Sequence, residues 1–385
     1  MTVLYQVPKL IIWAMTTYVL FMALQDLQLG GNEWKQGDWL INNAETFIRR
    51  GIFGSVILSI ALAFSVDPVL VVVSLQAFLV CLVILLLSLS VRKFRYDSSL
   101  WLLILSPGFF ISLWAMDPQG GLRKELVVFL AFALLLFAIT RSGSAKFLVY
   151  LSAAVLCIAF MGHEGNVFFL PFFWFCYVMM LRAGRLGSGD ILALCGVSGA
   201  AALMAVALAF LFGNVADYRL VCQPLLDAGS RVGICDGAIK ALEIGLSDFV
   251  EATFWMALSP RMLAFLLMYG LTAISILIIG AHFFERKRVL RFYVVSALIF
   301  LPLYIVAVDW GRWLSFHTTA VIFVGIIMLA LDDRKERDRA DLPILPFAGL
   351  LVFSIVWGTS HFVYVEWGGI LWKSLNGLMR LTLGA

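Results

Sequence analysis

The sequence predicts an all-α integral membrane protein, a polytopic bundle of about 11 to 12 transmembrane helices with one longer external loop. Three observations predict it. Hydrophobic residues make up 62% of the 385 and charged residues only 14%. The mean hydropathy is +0.99, a balance that leaves too little polar surface to cover a water-soluble fold. Apolar runs also recur along the whole chain with short polar breaks, so residues 1–385 read as a single transmembrane domain.

Runs able to cross a hydrocarbon core about 30 Å thick, with every backbone group bonded inside a helix, define the elements. They lie near 8–26, 51–66, 68–91, 99–116, 125–140, 146–162, 165–181, 190–213, 259–282, 290–308, 313–331 and 342–360. The first has only Lys9 ahead of it and no small-residue cleavage site behind it, so it reads as a retained helix. The longest break, 214–258, reads as an extracytoplasmic loop with short helices.

Orientation follows from Lys and Arg, which concentrate in cytoplasmic loops. One alternating set carries Arg92, Lys93 and Arg95, then Arg141 and Lys146, Arg182 and Arg185, Arg286 to Arg291, and Arg334 to Arg339. That set is assigned to the cytoplasm, which puts 117–125, 163–166, 214–258, 309–313 and 361–385 outside. The N-terminal third breaks the alternation by one crossing. Either the segment 51–66 dips in and returns, or the loop before it is cytoplasmic. The first is favoured by the many polar residues of 27–50 and by Gly51 and Gly54. Of the six cysteines, Cys81, Cys157, Cys176 and Cys195 fall in apolar runs as small hydrophobes. Cys222 and Cys235 share the long loop, either as a disulfide in an oxidising compartment or as two thiols.

Ionisable residues at the outer ends of membrane helices are costly and mark candidate sites. Arg49-Arg50 opens an apolar run just after Glu45, and paired guanidinium groups suit bidentate phosphate recognition; a snorkelling interfacial anchor is the structural alternative. In Asp117-Pro118-Gln119-Gly120-Gly121-Leu122-Arg123-Lys124-Glu125, two cations at a helix start oppose the macrodipole unless an anion sits there. His163-Glu164 is a titratable pair between two apolar runs, suited to acid-base work and otherwise a solvated turn. Asp309-Trp310-Gly311-Arg312-Trp313 places Asp309 and Arg312 at i and i+3, able to pair on one helix face. Its tryptophans also suit an interfacial belt, and His317 lies one turn further in. Four such clusters on one face of the membrane suggest a shared outward-facing cavity, with 214–258 large enough to be its lid and Tyr218 and Trp255 able to stack on a sugar.

Together these motifs resemble the bacterial membrane polysaccharide-assembly proteins of the O-antigen or capsule polymerase type, within the GT-C glycosyltransferase superfamily. The resemblance rests on a polar first loop ending in Arg49-Arg50-Gly51 and on Ser106-Pro107 leading to Asp117-Pro118 and Arg123-Lys124-Glu125. His163-Glu164 and Asp309 to Trp313 complete it, spanning residues 27–313. The chain departs from that pattern in lacking an acidic pair in the first loop, where Asp38 and Glu45 stand alone, so no cofactor is implied and a divalent cation is not indicated.

The resemblance implies a GT-C-like fold and transfer of a glycan from a polyprenyl (pyro)phosphate donor to a hydroxyl of an acceptor glycan. It places the reaction on the outer, periplasmic face of a bacterial inner membrane. Arg49, Arg50, Arg123, Lys124 and Arg312 would bind the phosphate. His163 or Glu164 would accept the proton, with Asp38, Glu45 and Asp117 in reserve and Glu125 and Asp309 supporting. The rivals are a transporter or flippase for the same lipid and a membrane acyl- or lipid-modifying transferase. No nucleic-acid partner is expected.

Overall fold

In the computed structural model, residues 2–141, 146–332, 340–361 and 366–367 are described. The expectations for Arg334 to Arg339 and for 362–365 and 368–385 therefore lie outside the described residues. The described chain is helical almost throughout, with one antiparallel ribbon, Trp357–Gly358 against Glu366–Trp367.

Among the described residues, seven helical stretches are long and apolar enough to cross a membrane: Val3–Gln28, Pro68–Val91, Glu164–Arg182, Ser188–Leu211, Arg261–Phe283, Arg286–Val306 and Trp310–Leu331. Four further apolar helices there are shorter: Gly51–Phe64, Leu126–Thr140, Lys146–Gly162 and Ile344–Val356. The architecture is that of a multi-pass membrane helical protein, with fewer full-length spans than the hydropathy pattern suggested. Gly51–Phe64 has 14 residues and rises about 21 Å, short of a hydrocarbon core. It stops at Ser65, whose left-handed backbone closes on the carbonyls of Ala61 and Leu62. The next helix begins at Pro68, where a missing N–H costs nothing, and the Asp67 carboxylate accepts from the Val69 N–H at 2.8 Å.

The expected span at 99–116 is not one helix. It breaks into Asp97–Ile104 and Phe110–Met116 around Ser106-Pro107-Gly108. Pro107 can neither donate nor continue a helix, and Gly108 packs against Thr318, where a side chain would collide. The interrupted backbone finds side-chain partners, as it must inside a bilayer. The Phe110 N–H donates to Thr319 Oγ1 at 3.0 Å, and the Pro107 carbonyl accepts from Thr359 Oγ1 at 3.2 Å.

The chain divides into two compact units. The first comprises Met1–Val19, Val91–Gly121 and Phe249–Ala385. It is built on α13 (Arg261–Phe283), α14 (Arg286–Val306) and α15 (Trp310–Leu331), which pack on one another, with α13 and α15 also touching Asp97–Ile104. The second comprises Leu20–Ser90 and Leu122–Asp248. There α8 (Lys146–Gly162) packs against α7 (Leu126–Thr140) and α10 (Ser188–Leu211), while a short buried helix, α2 (Lys35–Leu40), lies on α3 (Gly51–Phe64). In the long loop, Arg219–Asp227 and two 3-10 turns form short helices, and a disulfide joins Cys222 to Cys235.

Candidate functional site: a cationic cluster in the second unit

The second unit gathers Asp38, Arg49, Arg50, Arg123, Lys124, Glu125, His163 and Glu164, drawn from three separated stretches of sequence. Asp38 comes from α2, all of whose residues are buried. Asn32 starts that helix by accepting the N–H groups of Trp34 and Lys35 on its side-chain oxygen. Lys35 is buried against Asp26, 2.5 Å away. From the other side, the 3-10 turn at Val232–Cys235 packs on α2, and the Ala238 N–H donates to the Glu33 carbonyl at 3.0 Å. Gly37 lies so close to the Ile234 carbonyl that a side chain would force them apart. The disulfide-bearing loop therefore backs the helix that carries Asp38.

Arg49 and Arg50 end a loop folded down onto α3. Asn43 accepts the Ile48 N–H at 3.0 Å and donates its own N–H to Ser55 Oγ at 2.9 Å. Gly54 meets the Ile41 carbonyl where any side chain would clash. Arg50 itself has a φ of 70°, a left-handed conformation that a side-chain-bearing residue holds only when its surroundings enforce it. Its carbonyl accepts from Lys124 Nζ at 2.9 Å.

Lys124 arrives through a second strained residue, Leu122, with φ 56°. The Leu122 carbonyl is gripped by Trp39 Nε1 at 2.8 Å and Gln76 Nε2 at 2.6 Å. Gln76 sits in the middle of Pro68–Val91 and also accepts from Gln36 Nε2. This polar net, inside an otherwise apolar helix, aims Arg123-Lys124-Glu125 at the cluster. It went unread in the sequence, where a lone Gln in a span was the only signal.

The third stretch follows α8. Gly162 abuts the Phe53 ring, and Phe53 packs on Trp39 at 5.2 Å between centroids, so a side chain at Gly162 would push α8 off α3. His163 turns the chain: its Nδ1 accepts the Gly165 N–H at 3.0 Å. With Nδ1 an acceptor, the neutral ring carries its proton on Nε2 and is a hydrogen-bond donor there. Glu164 binds both arginines. Arg50 grips it with Nε, 2.8 Å from Oε2, and with Nη2 on Oε1, while Arg49 Nη1 lies 3.0 Å from Oε1. Both carboxylate oxygens are thus taken up by guanidinium N–H groups, an arrangement suited to positioning more than to accepting a proton.

The charges are unequal. Arg49, Arg50, Arg123 and Lys124 are four cations against the three carboxylates Asp38, Glu125 and Glu164, of which Asp38 and Glu164 interact directly with the cations. Lys124 is fully buried and Asp38 is 3% exposed. Burial by itself would raise the Asp38 carboxyl, but Lys124 first, with Oδ1 at 4.0 Å from its Nζ, then His163, Arg50 and Arg123 hold it down at about 2. Burial brings Lys124 down to about 8, with Arg50 adding repulsion and Asp38 and Glu164 opposing the fall. Burial, then Arg50, lowers Arg49 to about 10 against the pull of Glu164. Asp38 Oδ2 and Arg49 Nε are buried in this charged setting without a hydrogen-bond partner.

Beside the cluster a cleft opens. Arg49, Arg50, Glu164 and Asn43 are its polar lining, and Phe47, Ile52, Phe160, Met161 and Leu208 are among its apolar lining. A cleft that combines guanidinium groups with apolar side chains suits an amphiphile with an anionic head.

The remaining sequence-singled residues lie elsewhere. Glu45 is exposed on the loop before Arg49. Asp117, Asp309 and Arg312 belong to the first unit. There Asp117 accepts both the backbone N–H and the ring Nδ1 of His361, a residue the sequence did not single out. Asp309 and Arg312 pair at 3.0 Å, as the i, i+3 spacing suggested, and the Arg312 guanidinium stacks on Trp313. His317 is not part of that pair. It bridges Tyr269 OH at 2.8 Å and Ser296 Oγ at 2.7 Å, tying α13 and α14 to α15. No group of three or more metal-ligating side chains occurs among the described residues. The chain matches no protein-family model, no curated protein and no solved structure.

Proposed function

We propose that the protein is a membrane glycosyltransferase or polysaccharide polymerase, transferring a glycan from a polyprenyl (pyro)phosphate donor to an acceptor hydroxyl on the outer face of a bacterial inner membrane. The observation that carries this is the cleft of the second unit, which two arginines and several apolar side chains line together, next to the buried Lys124 and Asp38. Lipid phosphate offers the matching chemistry: an anionic head, an isoprenoid tail and a leaving group that needs cations and no nucleotide site.

In this reaction the acceptor hydroxyl oxygen bonds to the anomeric carbon as the bond from that carbon to the phosphate oxygen breaks. The electron pair leaves on the phosphate, where Arg49, Arg50 and Lys124 stabilise the growing charge. The hydroxyl proton passes to Asp38 Oδ2, which is ionised and has no hydrogen-bond partner, and from there to the released phosphate. His163 donates from Nε2, and Glu164 holds the arginines in the empty site. The Cys222–Cys235 disulfide backs α2, so the helix carrying Asp38 shares its side of the membrane with a bond that favours an oxidising compartment.

Purified protein in nanodiscs, given a lipid-linked glycan donor and an acceptor glycan without any ion gradient, should form a new glycosidic bond. A transporter of the same lipid would move it and leave its covalent structure unchanged, and that result would reject the transferase.

A further inference from the structure

The two arginines that line the cleft already hold a carboxylate of the chain itself. Glu164 receives Arg50 through two parallel N–H groups and Arg49 through a third. A planar, two-oxygen anion held by two guanidinium forks is the same chemical arrangement that a phosphate would offer them. All three side chains line the cleft, Glu164 is only partly buried, at 19% side-chain exposure, and Arg49 Nε has no partner.

We infer that Glu164 is an internal stand-in for the substrate phosphate, an autoinhibitory counter-ion that a lipid phosphate displaces from Arg49 and Arg50 on binding. This rests on the lipid-phosphate reading of the cleft given above. In the empty site the carboxylate offsets one of the two positive charges, whose exposure to apolar side chains would otherwise be costly. It also sets selectivity, because a monoanion of low charge competes poorly with the pair, whereas a phosphate of higher charge with three peripheral oxygens replaces every bond it breaks. Arg50 is held in its strained backbone conformation by the loop and by Lys124, so its guanidinium stays in place when the counter-ion leaves.

The opposite effects of two substitutions test this. Farnesyl phosphate in detergent micelles is the probe, with inorganic phosphate and farnesol as separate arms that distinguish a lipid headgroup from free phosphate and from the tail alone. Glu164→Gln keeps the side-chain shape and removes the competing charge, and should lower the Kd for farnesyl phosphate at least threefold, while R49A/R50A should abolish binding. An unchanged or weaker Kd for Glu164→Gln, with R49A/R50A still defective, overturns the displacement and leaves the lipid-phosphate site standing. Binding absent from wild type and Glu164→Gln alike overturns both. Should Glu164→Gln fail to give a monodisperse protein, infrared difference spectra of the wild type decide. Adding farnesyl phosphate should shift a carboxylate band, and Glu164→Asp, one methylene shorter, should change that band. A spectrum without a carboxylate change excludes displacement.

Discussion

The two units handle buried charge in different ways. In the first, each ionisable group closes on one or two direct partners: Arg312 on Asp309 three residues back, Asp117 on the distant His361, and His317 on hydroxyls from two adjacent helices. In the second, charges converge from α2, from the loop before α3 and from the turns before α7 and after α8, with cations in excess and a cleft alongside. Local closure is what holding membrane helices together requires. Convergence of like charges from distant stretches serves no packing need, and it is held by two residues with strained backbone, Arg50 and Leu122. Strain and unbalanced charge in one place are what the proposal of an anion site in the second unit rests on.

The sharpest way to break that contrast is to remove the arginine pair. R49A/R50A should cut glycan transfer by about 10³-fold or more, on the scale of losing preorganised transition-state stabilisation, measured as initial rate in nanodiscs. D38N should follow with about a 10²-fold loss in kcat and an unchanged Kd for farnesyl phosphate. A D38N protein that transfers normally would move the proton-accepting role elsewhere.

The next effect is a pH limb. Lys124 sits at about 8, so its charge is present below that value and lost above it. Lipid-phosphate affinity should therefore fall about tenfold between pH 8 and pH 9.5, and K124R should carry the plateau past pH 9.5. The stability sign is the reverse of the binding sign. A lysine whose folded value lies below its unfolded one releases its proton earlier in the fold, so this group's contribution to stability rises between pH 8 and about 10.4.

Smallest, and confined to stability, is H317F in the first unit. It leaves the Tyr269 and Ser296 hydroxyls without their imidazole partner and should cost about 1 to 3 kcal/mol, read as a lower Tm, with transfer by the folded fraction unchanged. A loss of transfer without a loss of Tm would make His317 functional and erase the contrast between the units.

How far the sequence carried depended on the range of the interactions involved. Helices longer than about twenty residues follow from composition alone, and the i, i+3 pair of Asp309 and Arg312 follows from helical period. The pairing of Cys222 with Cys235 was one of two readings, and the structure contains the disulfide. The break at Ser106-Pro107-Gly108 was hidden inside a strongly apolar run, and the hydroxyls that help satisfy its backbone include those of Thr319 and Thr359, some two hundred residues on. The candidate residues were visible as charges in the wrong solvent. Their grouping was not, since hydropathy reports which side of a membrane a turn faces and says nothing about which turns meet. Gln76 and His361 were missed for the same reason, each acting through a partner distant in sequence.

The comparison between the units is tested most directly by 31P NMR of farnesyl phosphate titrated with purified protein. The wild type and an Asp309→Asn/Arg312→Gln variant should broaden and shift the resonance alike, and R49A/R50A should leave it as it is in micelles alone. A resonance perturbed equally by R49A/R50A, and released only when Asp309 and Arg312 are changed, would contradict the account by placing the phosphate in the first unit.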